Sequence, residues 1–448
     1  MKTELTVREY ARLTTDPVPA SLDYAQVSSS AFDYLCKLSE SFSKGGAALV
    51  HVEGRRELRL DNFVGVVETP CGLRLEILPK HFEGGDCVRK SRRLLRRMIA
   101  EALDLPRRDA REASLELFDA PLSEWVMAQF LRELDQLLKR GVRFEYTRVE
   151  EEQRFLRGQL DMIKQLRQPP GRKHLFQIRH DLFLADRPEN RLLKLALERV
   201  CTATRQPDNW RLANELRTLF AEVPASTAVS ADFRQWRHDR LMAHYRPVRP
   251  WCELILNQQM PLSVAGPWRG ISLLFPMEKL FERFVATSLD RQLGPGATLQ
   301  QQAARHSLCR HSNGWMFELR PDLLIRTDSR LWVLDAKWKR IDAADEAGKY
   351  GLSQADFYQL FAYGQKYQGG DGDLALIFPR RGAFSEPLPV FWFTDKLRLW
   401  VLPFDLEARG LIGADRAQLP LRHADAREPI ASSGELVQKR ADVYTRHG

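Results

Sequence analysis

The chain has 448 residues, 44% hydrophobic and 28% charged, and its 68 Lys and Arg outnumber 59 Asp and Glu for a formal charge of +9. That length exceeds what one core usually supports, so two or three domains are expected; no apolar run is long enough to cross a bilayer. The start, Met1-Lys2-Thr3-Glu4-Leu5, lacks the apolar core of a signal peptide, so a cytoplasmic protein with no membrane association is expected.

The positive excess favours an anionic partner, nucleic acid being the commonest candidate. Cysteines at 36, 71, 87, 201, 252 and 309 form no Cys-x-x-Cys pair, which argues against a zinc knuckle and a disulfide framework alike. They read as reduced structural thiols.

In chain order, residues 1–95 read as a β-rich N-terminal domain with one amphipathic helix near Ser28 to Phe42. Ala48 to Val52, Phe63 to Val67 and Leu73 to Leu78 are strand-like, and Thr69-Pro70-Cys71-Gly72 is a turn. Gly84 to Ser91 superficially looks like a phosphate-binding loop, but Arg89 stands where Gly must precede Lys. If NTP energy is needed, another subunit supplies it. Six basic residues between Arg89 and Arg97 open a helix that runs to about Leu103. They read as a solvated helix face, with contact to phosphates or to an acidic partner surface as the alternative.

Residues 96–245 form a mainly helical middle region, with helices expected over Ala120 to Lys139, Glu189 to Thr204 and Trp210 to Leu219. Tyr245-Arg246-Pro247-Val248-Arg249-Pro250 reads as a linker, because two prolines in four residues resist helix and central strand. Beyond it, residues 246–423 show a short helix at Trp251 to Gln258 and a longer one at Pro276 to Leu289. A hairpin, a helix from about Ser353 to Tyr367 and a strand at Leu374 to Phe378 follow. That is an α/β layout. Residues 424–448 are polar and are expected to be a disordered tail.

The hairpin carries the chemistry. Apolar runs at Leu323-Leu324-Ile325 and Leu331-Trp332-Val333-Leu334 flank Thr327-Asp328-Ser329-Arg330, which sets residue 326 opposite 331 and 322 opposite 335. Two carboxylates, Asp322 and Asp335, thus meet across one strand pair, and Lys337 lies on the same face as Asp335 while Ala336 faces away. A surface hairpin with solvated charges is the plain alternative. It fits poorly, because four consecutive apolar residues before Asp335 describe a strand buried on both faces, where unpaired charge is costly unless a cation or ligand uses it.

Pro321-Asp322 with Asp335-Ala336-Lys337 resembles the PD-(D/E)xK nuclease signature, and the Gln-x-x-x-Tyr helix that follows it in such enzymes is matched by Gln359 and Tyr363 and also by Gln354 and Tyr358. More of the chain resembles the McrC subunit of McrBC modification-dependent restriction systems. Leu75 to Lys80, Leu156-Arg157-Gly158-Gln159-Leu160, Asn190 to Lys194, Met277 to Glu282 and Asp356 to Leu360 look like that family in its order. The resemblance spans roughly residues 1 to 420; extra sequence near 206–245 has no assigned role.

The resemblance implies an N-terminal portion that docks on a hexameric AAA+ GTPase and stimulates it, and a C-terminal restriction-endonuclease-like α/β domain that cuts DNA. It implies Mg²⁺, replaceable by Mn²⁺, on Asp322 and Asp335, with the Ala336 carbonyl as a further ligand. Lys337 would orient or deprotonate water, or stabilise the transition state. Glu278 and Glu282 share a helix face, so either could complete the site, Glu282 being preferred. Gln359 and Tyr363 would brace the site or touch DNA. An adaptor that activates a motor NTPase through a dormant nuclease fold, and a stand-alone repair nuclease, are the competing readings.

Overall fold

The computed structural model describes residues 4–43, 49–81, 87–102, 121–237, 239–256, 273–303, 306–312 and 314–422. The expected tail from 424 and the glycines at 84 and 85 lie outside these residues. The chain divides into two compact units, Met1–Met277 and Glu278–Gly448.

The first unit opens with seven strands, β1 (Glu4–Arg8), β2 (Arg12–Thr14), β3 (Tyr24–Gln26), β4 (Val50–Val52), β5 (Glu57–Leu60), β6 (Phe63–Glu68) and β7 (Arg74–Leu78), around helix α1 (Ser29–Ser43). β6 and β7 are buried along their whole length; β7 carries Arg74 and Glu76 into that interior, where ion pairs with Glu124 and Arg92 hold them. Leu13, Leu35, Leu58 and Ile77 meet in their core. Helix α2 (Cys87–Ala102) carries the basic run.

The reading of that run as a solvated face holds for Arg89 and Lys90, which are exposed, and not for the residues that follow. Arg96 is buried, and Arg92 donates from Nε to both oxygens of buried Glu76 at 3.0 Å and from Nη2 at 2.7 Å. Glu76 also accepts from Thr6 and from the Leu122 amide. Arg92 therefore helps pin α2 to the β7 strand.

Helix α3 (Leu122–Arg140) buries Leu122, Trp125, Val126, Phe130, Leu131, Leu134 and Leu137, the 3.6-residue stripe expected of it. The middle region has the expected helices but also holds a sheet that the sequence did not announce. Strands β8 (Glu145–Gln153), β9 (Gln159–Leu160) and β10 (Phe176–Leu184) form a three-stranded sheet in the order β8-β10-β9. The strand Glu-Tyr-Thr-Arg-Val-Glu-Glu-Glu-Gln is largely exposed, so no apolar alternation announces it. Helices α4 (Met162–Leu166), α5 (Pro188–Ala203), α6 (Pro207–Leu219) and α7 (Val229–Gln235) complete the stretch.

The expected linker at 245–250 is packed structure inside the first unit. Tyr245 and Val248 are buried. The Tyr245 hydroxyl donates to Asn190 Oδ1 and accepts from the Arg143 amide, both at 2.8 Å. Pro250 sits in the first turn of α8 (Arg249–Ile255), where its missing N–H has no intrahelical partner to lose. Strand β11 (Leu273–Pro276) pairs antiparallel with β6, closing a sheet of order β1-β7-β6-β11.

That closure depends on Gly65. It sits opposite Leu274 at φ 133°, and a Cβ there would lie 1.8 Å from the Leu273 carbonyl oxygen. Backbone cannot yield as a flexible side chain would, so Gly65→Ala is expected to destabilise the first unit by on the order of 2–4 kcal/mol. Its thermal transition should fall by several degrees; an unchanged transition would show that β6 and β11 do not need the close approach.

The second unit starts on helix α9 (Met277–Gln292) and contains β12 (Thr298–Gln301), β13 (His306–His311), β14 (Gly314–Leu319), β15 (Leu323–Arg326), β16 (Leu331–Ala336), helix α10 (Gln354–Gln368), β17 (Gly372–Pro379), β18 (Phe391–Trp392), β19 (Leu397–Asp405) and β20 (Gly410–Leu411). Its main sheet runs β12-β15-β16-β17-β19-β18, with β20 paired to β19. The β16–β17 and β17–β19 pairs are parallel and buried, with Leu324, Val333, Leu360, Leu376 and Val401 in their core.

Candidate active site

The β15–β16 hairpin has the expected register: Arg326 pairs with Leu331 and Leu323 with Leu334. The turn is tied by the Thr327 amide to the Arg330 carbonyl at 2.9 Å and by the Arg330 amide to Thr327 Oγ1. One step past the last pair, the Ala336 amide donates to Asp322 Oδ2 at 2.9 Å. That bond fixes one Asp322 oxygen beside Asp335. The parallel partner β17 continues on the other side, where the Lys337 amide donates to the Ile377 carbonyl.

Asp335 is only 1% exposed. Its Oδ2 stands 2.7 Å from Lys337 Nζ, an ion pair without hydrogen-bond alignment, and its Oδ1 has no hydrogen-bond partner. A buried carboxylate oxygen left so is costly. Burial is the main reason both carboxyls hold their protons unusually tightly. Asp322 is pushed up to about 7, with the charges of Asp335 and Glu282 adding to burial. Asp335 is also raised, its burial only partly offset by Lys337. Burial acts against the Lys337 ammonium, but Asp335, Asp322 and Asp356 outweigh it and hold the group charged above its ordinary range.

Glu282, one turn into α9, is buried and its charge reaches both aspartates. Its oxygens accept from Gln302 at 2.8 Å and from Lys279 at 2.9 Å. Glu278, a turn earlier, is exposed. The structure thus gathers Asp322, Asp335, Lys337 and Glu282, and leaves Glu278 outside. Phe281 packs on Trp338 with ring centroids 5.3 Å apart, which sets the rotation of α9 over this end of the sheet.

Of the two Gln–Tyr pairs, Gln359 Nε2 donates to the Tyr363 hydroxyl at 2.7 Å, and that hydroxyl donates to the Arg320 carbonyl at 3.0 Å, two residues before Asp322. Tyr363 is buried, while the Tyr358 of the Gln354–Tyr358 pair is exposed. The first pair therefore braces the chain entering the site. Two residues escape a reading of motifs. Gln302 holds Glu282 by its side chain and the Asp322 carbonyl by its amide, at 2.9 Å. Asp356, buried at the start of α10, bonds Lys339 at 2.9 Å and adds its charge near Asp335 and Lys337. Asp356 lies inside a family-like stretch, which is the one signal that could have found it.

Among the described residues no three His, Cys, Asp or Glu side chains stand ready as a closed metal cage. The carboxylates are instead held by Lys337, Lys279, Gln302 and the Ala336 amide. An all-oxygen donor set with one orphaned buried carboxylate oxygen nevertheless suits a hard divalent cation.

A sequence family described as McrBC 5-methylcytosine restriction system component matches residues 58–379, more than half of the chain. No curated protein matches. The fold is similar to that of a chain in the half-complex of Thermococcus gammatolerans McrB AAA+ hexamers with bound McrC. The TM-score is 0.68 at 21% identity, over 90% of this chain and 95% of that one. A chain of the Thermococcus gammatolerans McrBC complex gives a TM-score of 0.50 at 22% identity, over 64% of this chain and 88% of that one. At these identities the likeness is one of fold, and it agrees with the McrC resemblance carried by the sequence. The chain belongs to the McrBC 5-methylcytosine restriction system component family.

Proposed function

We propose that the second unit is a PD-(D/E)xK-type nuclease domain and that the chain is the McrC-type DNA-cutting subunit of a restriction system driven by an AAA+ GTPase. The observation that carries this reading is the buried Asp335, whose Oδ1 has no partner, beside Asp322, Glu282 and Lys337. Asp322, Asp335 and Glu282, with the Ala336 carbonyl, would hold Mg²⁺ or Mn²⁺. When bound, the ion supplies neutralisation of the charge that develops on the phosphate and the leaving oxygen.

The remaining work falls to the chain's own groups. Lys337 is held charged by its carboxylate neighbours, so it acts as a donor that orients water and stabilises the phosphate's developing charge, rather than as a base. Gln302 aims Glu282, and the Gln359–Tyr363 relay fixes the approach of Asp322. These positioning bonds keep the carboxylates within a productive arrangement without reacting themselves.

The NTPase partner has support in the first unit. Around the β8–β10 sheet, Tyr146, Phe155, Leu156, Ile163, Leu166 and Phe183 are exposed, a concentration of apolar surface that marks interaction sites. No described helix is long and apolar enough to cross a membrane.

The test is cleavage of duplex DNA by the purified chain with a McrB-type GTPase and GTP. Mg²⁺ or Mn²⁺ should produce strand breaks and EDTA should abolish them. GTPase stimulation with no cutting under either ion would make the chain an adaptor; cutting without partner or nucleotide would make it a stand-alone nuclease. Metal binding has a separate readout. Mn²⁺ at a hundredfold its dissociation constant should stabilise the second unit by about 2.7 kcal/mol, seen as a rise in its thermal transition that EDTA reverses.

A further inference from the structure

We propose that the β13–β14 ribbon enters a groove of duplex DNA beside the acid cluster and grips the bases with Trp315 and Phe317. The inference rests on the nuclease reading and adds a substrate-holding element to it.

The ribbon is an insertion between two paired strands, β12 and β15, and it leaves and re-enters the sheet at the site. Gln302, which bonds Glu282 and the Asp322 carbonyl, stands at its start. Asp322 follows Leu319 by three residues at its end. Helix α10 clamps the root: the Tyr367 hydroxyl lies 2.5 Å from the Ala303 carbonyl and 2.7 Å from that of Leu319, and His306 rests edge-on against its ring. Tyr363 holds the next carbonyl, Arg320. The base is rigid and tied to the same helix that braces the carboxylates.

Beyond that root every described residue from 308 to 318 is exposed. Trp315 and Phe317 are each 70% exposed, and Leu308 and Met316 are also exposed. A two-stranded ribbon with both faces in water gains little from its own pairing, so so much bare aromatic surface points to an occupant. Phe317 adds a second sign. The pairs Ser307–Glu318 and Cys309–Met316 are in register around it, but it takes φ 59° in mid-strand, a conformation that a bulky residue adopts only at a cost.

Charge and position name the occupant. Arg310, directly opposite Trp315, and Arg320 are the cations among the described ribbon residues and its root, against one carboxylate, Glu318, which pairs with Arg320 and leaves Arg310 in excess. Phosphates match that balance. A ribbon rooted three residues before Asp322 holds its occupant within one strand length of the acid cluster, the distance at which a duplex being cut and the ribbon can share one substrate. Six residues per strand give a reach of about 20 Å, and the major groove, about 12 Å wide, admits a two-stranded ribbon.

The test uses the full chain with its partner and Ca²⁺ in place of Mg²⁺, so that binding is read without cutting. Trp315→Ala/Phe317→Ala, which removes apolar contact with base edges in the groove, should weaken duplex binding, by fluorescence anisotropy, by about tenfold or more, with an unchanged thermal transition. The conservative Trp315→Phe/Phe317→Tyr should bind within a few-fold of the native chain. Arg310→Glu should weaken binding and reduce its salt dependence. Native-like affinity of the alanine variant overturns the proposal. So does a change in oligomeric state, which would make a second copy the occupant, or a loss of GTPase association with DNA binding intact. If the native complex neither binds nor cuts DNA, the nuclease reading itself fails, an outcome distinct from a ribbon variant that binds as the native chain does.

Discussion

Asp335→Asn is expected to abolish metal-dependent DNA cleavage, by at least about 10³-fold, while the variant folds and is more stable than the native chain without metal at pH 8. The loss follows from removing the innermost carboxylate: charge stabilisation of several kcal/mol at the phosphate goes with it, and each 1.4 kcal/mol is tenfold in rate. The gain has the opposite sign because Asp335 is buried with an unpartnered oxygen and its carboxyl is raised. A raised folded-state value means that the native protein binds the proton more tightly than the unfolded chain. That contribution is fully present below the unfolded pKa and is lost as pH rises through the folded one.

For Asp322 the folded value is about 7, so the window runs from about pH 4 to about pH 7. Asp322→Asn should flatten the fall in metal-free stability across it, by on the order of 2–4 kcal/mol at pH 8. Single-turnover cleavage and thermal melts in EDTA at pH 5 and 8 check both halves. A variant that cuts at the native rate would remove Asp335 from the site. One that melts at or below the native temperature at pH 8 would mean that burial does not strain these carboxylates.

The residues that define the hairpin could be paired from sequence because two strongly contrasting features fix its register. The polar turn Thr327-Asp328-Ser329-Arg330 and the apolar run before Asp335 allow one pairing that buries the run, and the structure has it. The choice between Glu278 and Glu282 is different in kind. Both lie on one face of α9, and only the packing of Phe281 on Trp338 decides which turn faces the aspartates. Burial of one and exposure of the other is a tertiary fact.

The β8–β10 sheet fails to announce itself for a related reason: a strand that is polar on both faces has no period to detect. Pro247 and Pro250 mislead because a proline that breaks a helix interior is well placed in a first turn, which is where Pro250 sits. Gln302 has neither charge nor motif, and its two bonds bring together residues twenty apart in each direction. No local pattern reports such a bridge.

Lys337→Met is expected to lower the cleavage rate by about 10²–10³-fold, the usual effect of deleting one preorganised donor to developing charge, while the second unit keeps its fold. Its second effect concerns the metal. Lys337 Nζ, 2.7 Å from Asp335, is the nearest positive charge to a carboxyl that burial already raises. Without it the carboxyl rises further, and a cation must displace a more tightly held proton. Mn²⁺ binding should therefore weaken at pH 6, and its midpoint should move to higher pH than in the native chain, with affinities converging well above the raised value. Lys337→Arg separates the two roles. A guanidinium restores the charge, so the pH profile of Mn²⁺ binding should return toward native. Its planar fork cannot take the place of a compact ammonium at a site fitted to a point donor, so the rate should remain low. Isotherms for Mn²⁺ at pH 6, 7 and 8, with single-turnover rates for both variants, would show whether lysine is a catalyst or only the partner of Asp335. Full activity in Lys337→Met would leave it the second role alone.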